Sequence, residues 1–118
     1  MIHSMNRKEE VEKTKEIAGL RGIGNTEVSS LVSAALSEIS KEVIDAFGIR
    51  KIIVCGGDTS ASLCERLGVT GMKVLEEIEA GLPTCESVSK PHYRLVLKSG
   101  SFGSREFVEK ARETLLME

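Results

Sequence analysis

The chain has 118 residues, enough for one domain with a single core and small for an enzyme that must bind two substrates. Its residues are 41% apolar and 29% charged, as in a folded globular protein, and with no Trp, one Tyr and three Phe the core must be aliphatic. The net charge of −2, with both signs interspersed, excludes the basic face that nucleic acid or an anionic membrane surface requires.

The first segment, from Asn6 to about Ala18, is rich in Lys and Glu with sparse apolar positions at Val11 and Ile17. It reads as a solvated helix, or as one that packs on something outside this sequence. Gly19, Gly22 and Gly24 break it, and Asn25-Thr26 open the longest periodic stretch. Val28, Leu31, Val32, Ala35, Leu36, Ile39, Val43, Ile44 and Phe47 follow the spacing of an amphipathic helix, closed by Gly48. A strand is expected over 51–55, then a helix from about Asp58 to Leu67 ended by Gly68. Met72 to Ile78 alternates as a strand does, with Glu76, Glu77 and Glu79 on a solvated edge. Gly81-Leu82-Pro83 reads as a turn, and the stretch to Pro91 as a polar connection. Tyr93 to Leu97 is the third strand, and Ser104 is placed to cap a last helix ending near Leu116. The fold expected is α/β, three-layered, with a small mostly parallel or mixed sheet and helices on both faces. Residues 1–25 form a helix and linker, and residues 26–118 the α/β domain.

Cys55, Cys64 and Cys85 lack metal-ligand spacing and read as small apolar residues in a reducing compartment. His3 and His92 are far from any Cys or carboxylate cluster, so no metal site is expected among them. No apolar run approaches the roughly 18–20 residues of a membrane span and the start has no apolar leader, so a cytoplasmic location is expected.

The chemistry-bearing feature is Ile52-Ile53-Val54-Cys55-Gly56-Gly57-Asp58-Thr59-Ser60. A buried strand runs into a glycine turn that opens a helix, where free backbone N–H groups and the helix dipole favour an anion such as phosphate. Two glycines let the backbone approach the anion closely. Asp58, Thr59 and Ser60 suit a helix N-cap, and the two hydroxyls suit phosphate as well. A second turn of the same construction, Lys98-Ser99-Gly100-Ser101-Phe102-Gly103, follows the third strand. Both turns lie at carboxyl ends of strands, so adjacent strands would let them grip one ligand. No GxxxxGK[ST] exists, so Lys98 is not a Walker lysine. Phe102 either packs beneath its turn or lies against a base.

The order Gly56-Gly57-Asp58-Thr59-Ser60, Leu67-Gly68, Glu77-Ile78 with Gly81-Leu82-Pro83, and Leu97-Lys98-Ser99-Gly100-Ser101-Phe102-Gly103 resembles the C-terminal nucleotide-binding domain of the four-carbon acid sugar kinases. The likeness runs from about Thr26 to Leu116. It implies ATP and Mg²⁺ as cofactors and phosphoryl transfer to a sugar-acid hydroxyl. It also implies nucleotide contacts at Gly56, Gly57, Asp58, Thr59 and Gly100, with Ser60 and Gly103 as further contacts. A carboxylate beside a polyphosphate repels it unless a metal or a proton intervenes, so Asp58 is a helix cap, a Mg²⁺ ligand directly or through water, or a hydrogen-bond partner for ribose or a phosphate-bound water. Members of that family carry a separate sugar-acid-binding domain, which this sequence lacks. A partner domain or chain, or a homo-oligomer, is therefore expected for catalysis. The alternative is a non-catalytic nucleotide- or phosphate-binding module.

Overall fold

The computed structural model describes residues 1–4, 7–98, 100 and 103–118. In chain order these form α1 (Lys8–Leu20), α2 (Asn25–Phe47), β1 (Lys51–Cys55), α3 (Gly57–Arg66), β2 (Met72–Glu79), β3 (Leu82–Ser87), β4 (Arg94–Lys98) and α4 (Phe107–Leu116). The strands make one mixed sheet in the order β1-β4-β3-β2. β4 runs parallel to β1 and antiparallel to β3, which is antiparallel to β2.

Side chains alternate across β4, so Leu95 and Val96, both 0% exposed, anchor opposite faces of the sheet. On one face Leu95, Val54 and Tyr93 pack with Ile44 of α2 and Leu63 of α3. On the other, Val96 and Leu82 pack with Phe107, Ala111 and Leu115 of α4. The expected three-layer α/β arrangement is therefore present, and the two cores are aliphatic apart from Tyr93 on one face and Phe107 on the other.

Several sequence expectations are corrected. Leu82 to Ser87 is a central strand, not a turn and polar connection. Its composition hides this because hydroxyls occupy buried positions and find partners. Thr84 Oγ1 donates to Glu76 O at 3.2 Å, and Ser87 Oγ accepts the Tyr93 N–H at 2.7 Å. Pro83 lies before the residues that pair with β4, so its missing N–H breaks no bond on that side.

The second correction concerns α2. Its buried residues are Ser33, Ser37 and Ile44, while Leu31, Ile39 and Phe47 are exposed. Small side chains let α2 approach α3 closely, and Ser37 Oγ donates to Ser33 O at 2.7 Å, which removes its need for water. Of the expected apolar stripe, Ile44 enters the core, whereas Leu31, Ile39 and Phe47 face away from it. The C-terminal end is as expected: Gly48 adopts φ 63°, a left-handed cap.

Ser104 does not cap α4, whose N-cap is Glu106. Instead the Ser104 hydroxyl donates to Glu79 Oε2 at 2.6 Å and its backbone N–H to Glu79 Oε1 at 2.9 Å. Lys110 Nζ adds an ion pair at 3.2 Å. Glu79, expected on a solvated edge, therefore ties the end of β2 to the start of α4.

Truncating the fully buried anchor of the α4 face, Phe107→Ala, is expected to cost about 3–5 kcal/mol by chemical denaturation. The Ser104 hydrogen bonds, and then Lys110, hold the Glu79 carboxyl below its ordinary value of 4.5. A depressed folded-state pKa contributes stability that is complete above pH 4.5 and lost as pH falls through the lower folded value. Glu79→Gln should therefore be less stable at neutral pH and show a shallower loss of stability below pH 4.5 in acid titrations.

Candidate functional site

β1 and β4 lie side by side in parallel, with Cys55 level with Lys98, so both strands end at the same edge. The Gly56 N–H donates to Lys98 O at 2.7 Å. That bond locks the first glycine corner to the strand that leads into the second.

Gly56 adopts φ 106°, a conformation that L side chains rarely take, and forms the N-cap of α3 without a side-chain cap bond. Asp58, Thr59 and Ser60 are thus inside the first turn rather than capping it, because Gly56 turns the chain one step earlier. Ser60 N–H donates to Gly56 O at 3.0 Å, and Ser60 Oγ donates to the same oxygen at 2.6 Å. The Ser60 hydroxyl proton is committed to the turn. The N–H groups of Gly57, Asp58 and Thr59 take no partner among the described residues, as expected for the first turn of a helix.

The two glycines differ in what demands them. Gly56 needs its positive φ, whereas Gly57 has an ordinary backbone and nothing within 4 Å of where a Cβ would stand. The fold makes no demand for glycine at 57. Gly57 and Asp58 are exposed, Thr59 is half-buried, and Ser60 is buried.

On the second corner, Gly100 has φ 62° and Gly103 φ 94°. A Cβ at Gly103 would stand 2.9 Å from Leu82 Cδ1 and 3.3 Å from Phe107 Cγ, so packing alone requires glycine there. Lys98 Nζ donates to Gly100 O at 2.9 Å, one of the three hydrogen bonds its exposed ammonium can make. Ser99, Ser101 and Phe102 lie outside the described residues, and with them the two readings of Phe102.

A cleft of about 610 Å³ opens at the first corner. Gly56 to Thr59 form one wall, Val28 and Val32 of α2 another, and Glu10, Thr14 and Lys15 of α1 face them. Sequence reasoning missed these α1 residues. The one signal was the run of glycines between α1 and α2, where Gly22 takes φ 71° and lets α1 fold back. Asp58 also borders a smaller hollow of about 240 Å³ between α2 and α3.

Two of the three cysteines are held as neutral thiols. Burial pushes the Cys64 and Cys85 thiols up, away from the thiolate. Cys55 is exposed rather than packed, at the end of β1. Among the described residues, no three His, Cys, Asp or Glu side chains converge on a metal position, so Asp58 stands as a lone carboxylate beside the free amides. His92 leans on Ser87 O at 2.9 Å and is structural. No helix is long and apolar enough to cross a membrane among the described residues.

Comparison with known proteins matches residues 1–108 to a family model described as a nucleotide-binding C-terminal domain. A 3-oxo-tetronate kinase of Pseudomonas savastanoi pv. phaseolicola is 34% identical over 115 residues, covering 98% of this chain and 25% of the relative. A 3-oxo-isoapionate kinase of Paraburkholderia graminis is 29% identical over 101 residues, covering 82% of this chain and 22% of the relative. Among solved structures, a Haemophilus influenzae protein of the DUF1537 family superposes with TM-score 0.70 at 25% identity, over 94% of this chain and 25% of its own. A Bordetella bronchiseptica DUF1537 protein, crystallised with citrate as a domain-swapped dimer, gives TM-score 0.68 at 22% identity, covering 73% of this chain and 22% of its own. The chain belongs to the family of nucleotide-binding C-terminal domains, and it spans about a quarter of the length of the curated kinases it matches.

Stability separates the paired glycines. Gly56→Ala should lose about 1–2 kcal/mol from strain at its positive φ, whereas Gly57→Ala should be neutral within about 0.5 kcal/mol in urea unfolding.

Proposed function

We propose that this chain is the nucleotide-binding part of an ATP-dependent four-carbon acid sugar kinase, acting with a further domain or chain that presents the sugar acid. The single observation that carries the reading is the Gly56 N–H to Lys98 O bond, which sets two glycine corners beside each other at one sheet edge. Family membership and the names of the relatives support it.

In this reading the free amides of Gly57, Asp58 and Thr59 hold phosphate oxygens, and the Thr59 hydroxyl adds a donor. The missing side chain at Gly57 leaves room for phosphate to approach the backbone, which accounts for a glycine that the fold does not need. Gly100 brings the second corner against the same nucleotide. Ser60 and Gly103 shape the two turns from beneath.

The donor set fits a nucleotide with Mg²⁺. The exposed Asp58 carboxylate sits beside amides suited to phosphate, where a cation must offset its charge. Mg²⁺ is commonly held by one or two carboxylates together with phosphate oxygens. Bound there, Mg²⁺ would neutralise charge on the transferring phosphoryl group. The chain's own contribution is positioning: fixed backbone donors that need no reorganisation as charge develops.

The exposed apolar side chains of α2 offer such a further domain or chain a seat. Leu31, Ile39 and Phe47 of α2 are 58%, 50% and 78% exposed, an apolar stripe on a helix whose opposite face is already packed. We assign that stripe to the sugar-acid-binding domain, which the relatives' fourfold greater length leaves room for. Three unpaired cysteines suit a reducing cytoplasm.

Calorimetric titration of ADP with Mg²⁺ tests the reading. Wild-type chain should bind, with a gain of about 2.7 kcal/mol in unfolding free energy at a hundred times Kd. Gly57→Val should bind at least tenfold more weakly with its melting temperature preserved. No binding by the wild type, or binding indifferent to Gly57, overturns it.

A further inference from the structure

A bound polyphosphate needs positive charge beyond backbone amides, and Lys98, beside the second corner, is not among the side chains that line the 610 Å³ cleft. Its ammonium donates to Gly100 O at 2.9 Å. The residues lining the 610 Å³ cleft include two carboxylates, Glu10 and Asp58, and a single basic side chain, Lys15. Lys15 makes no ion pair among the described residues. It sits one residue from Thr14, which also lines the cleft, though the Thr14 hydroxyl is turned back onto Glu10 O at 2.8 Å.

α1 is otherwise hard to explain. It buries only Ala18 and carries charge along most of its length, so hydrophobic packing gives little reason for it to lie where it does. Yet the positive-φ turn at Gly22 folds it back alongside α2, so that it faces Gly56 to Thr59. A helix held by little of its own apolar surface, and facing a set of free amides, is suited to be held by a shared ligand.

From this we infer that α1 is the outer wall of the phosphate-binding cleft and that Lys15 is its phosphate-contacting cation. The inference rests on the proposed nucleotide-binding function and adds to it a residue and an element. Lys15 and the α3 amides grip the nucleotide's phosphates from opposite sides. Asp58, with Mg²⁺, stands on the amide side. A flexible lysine reaches phosphate as a point charge, without the fixed fork geometry an arginine brings.

The test compares ADP with Mg²⁺ against adenosine, for wild type, Lys15→Gln and Lys13→Gln, by calorimetry on the full chain. Gln preserves helix propensity, and both lysines are exposed, so the variants are expected to fold. Lys15→Gln should weaken ADP binding about tenfold, the loss of one charge-assisted hydrogen bond, with adenosine binding unchanged. Lys13→Gln, which does not line the cleft, should match wild type for both. Hydrogen exchange gives a second readout: ADP with Mg²⁺ should slow exchange of α1 amides in wild type and do so less in Lys15→Gln. If wild type binds ADP and Lys15→Gln binds it equally well, Lys15 is not the contact and the nucleotide reading stands. If Lys15→Gln weakens adenosine as much as ADP, or Lys13→Gln weakens ADP as much as Lys15→Gln does, the phosphate assignment is overturned. If wild type binds neither ligand, the proposed function fails and this inference with it.

Discussion

The parallel pairing of β1 with β4 governs what this domain can do. Parallel neighbours end at the same edge of a sheet, so whatever follows each strand is delivered to one place. Here both strands are followed by glycine corners, and the Gly56 N–H to Lys98 O bond extends the ladder one residue beyond the strands into the first corner. Had β4 paired antiparallel to β1, the same two motifs would lie at opposite edges. The parallel relation is made possible by an excursion: α3, β2 and β3 intervene, and β3 returns antiparallel to β4 on its far side.

The sheet is held in that order by unlike means on its two faces. The α4 face is a compact set of large residues, Phe107, Val96, Leu82 and Leu115, around Ala111. The α2–α3 face combines Leu95, Val54 and Leu63 with a serine seam between the helices. That seam brings α2 close enough for Val28 and Val32 to wall the cleft above the first corner. Bulkier residues at Ser33 and Ser37 would hold the helices further apart and widen the cleft. The Glu79 carboxylate does comparable work on the other side, fixing Ser104 just beyond the second corner.

Much of the fold was legible because its signals were local. The Ile52-Ile53-Val54 run, the alternation from Met72 and the periodicity from Asn25 each reported one element, and the glycines marked its ends. β3 was not legible, since Pro83, Thr84, Glu86 and Ser87 look like a loop until their partners are known. The buried hydroxyls are satisfied by backbone groups six and eight residues away, which only the folded pairing of the chain brings within reach. The inward face of α2 failed for a related reason. Periodicity says that a helix has an apolar face, but not which of its residues the core takes, and here the core takes Ile44 while Ser33 and Ser37 fill the other buried positions. Both glycine corners could be read from composition, whereas their adjacency depended on the strand order that the unseen β3 completes.

The contrast between Gly56 and Gly57 bears on how a glycine pair should be interpreted. The backbone at 56 would exclude other residues whether or not any ligand exists. Position 57 is unconstrained by dihedral and by neighbours, and a helix gains from Ala over Gly by up to about 1 kcal/mol, less at its first turn. Nothing in the fold accounts for glycine at 57, where the chain is exposed. Gly103 is the opposite case, filled from within by Leu82 and Phe107. Of the two glycines of the first corner, Gly57 is therefore the one that the fold itself leaves unexplained, and it lies among amides that take no partner among the described residues.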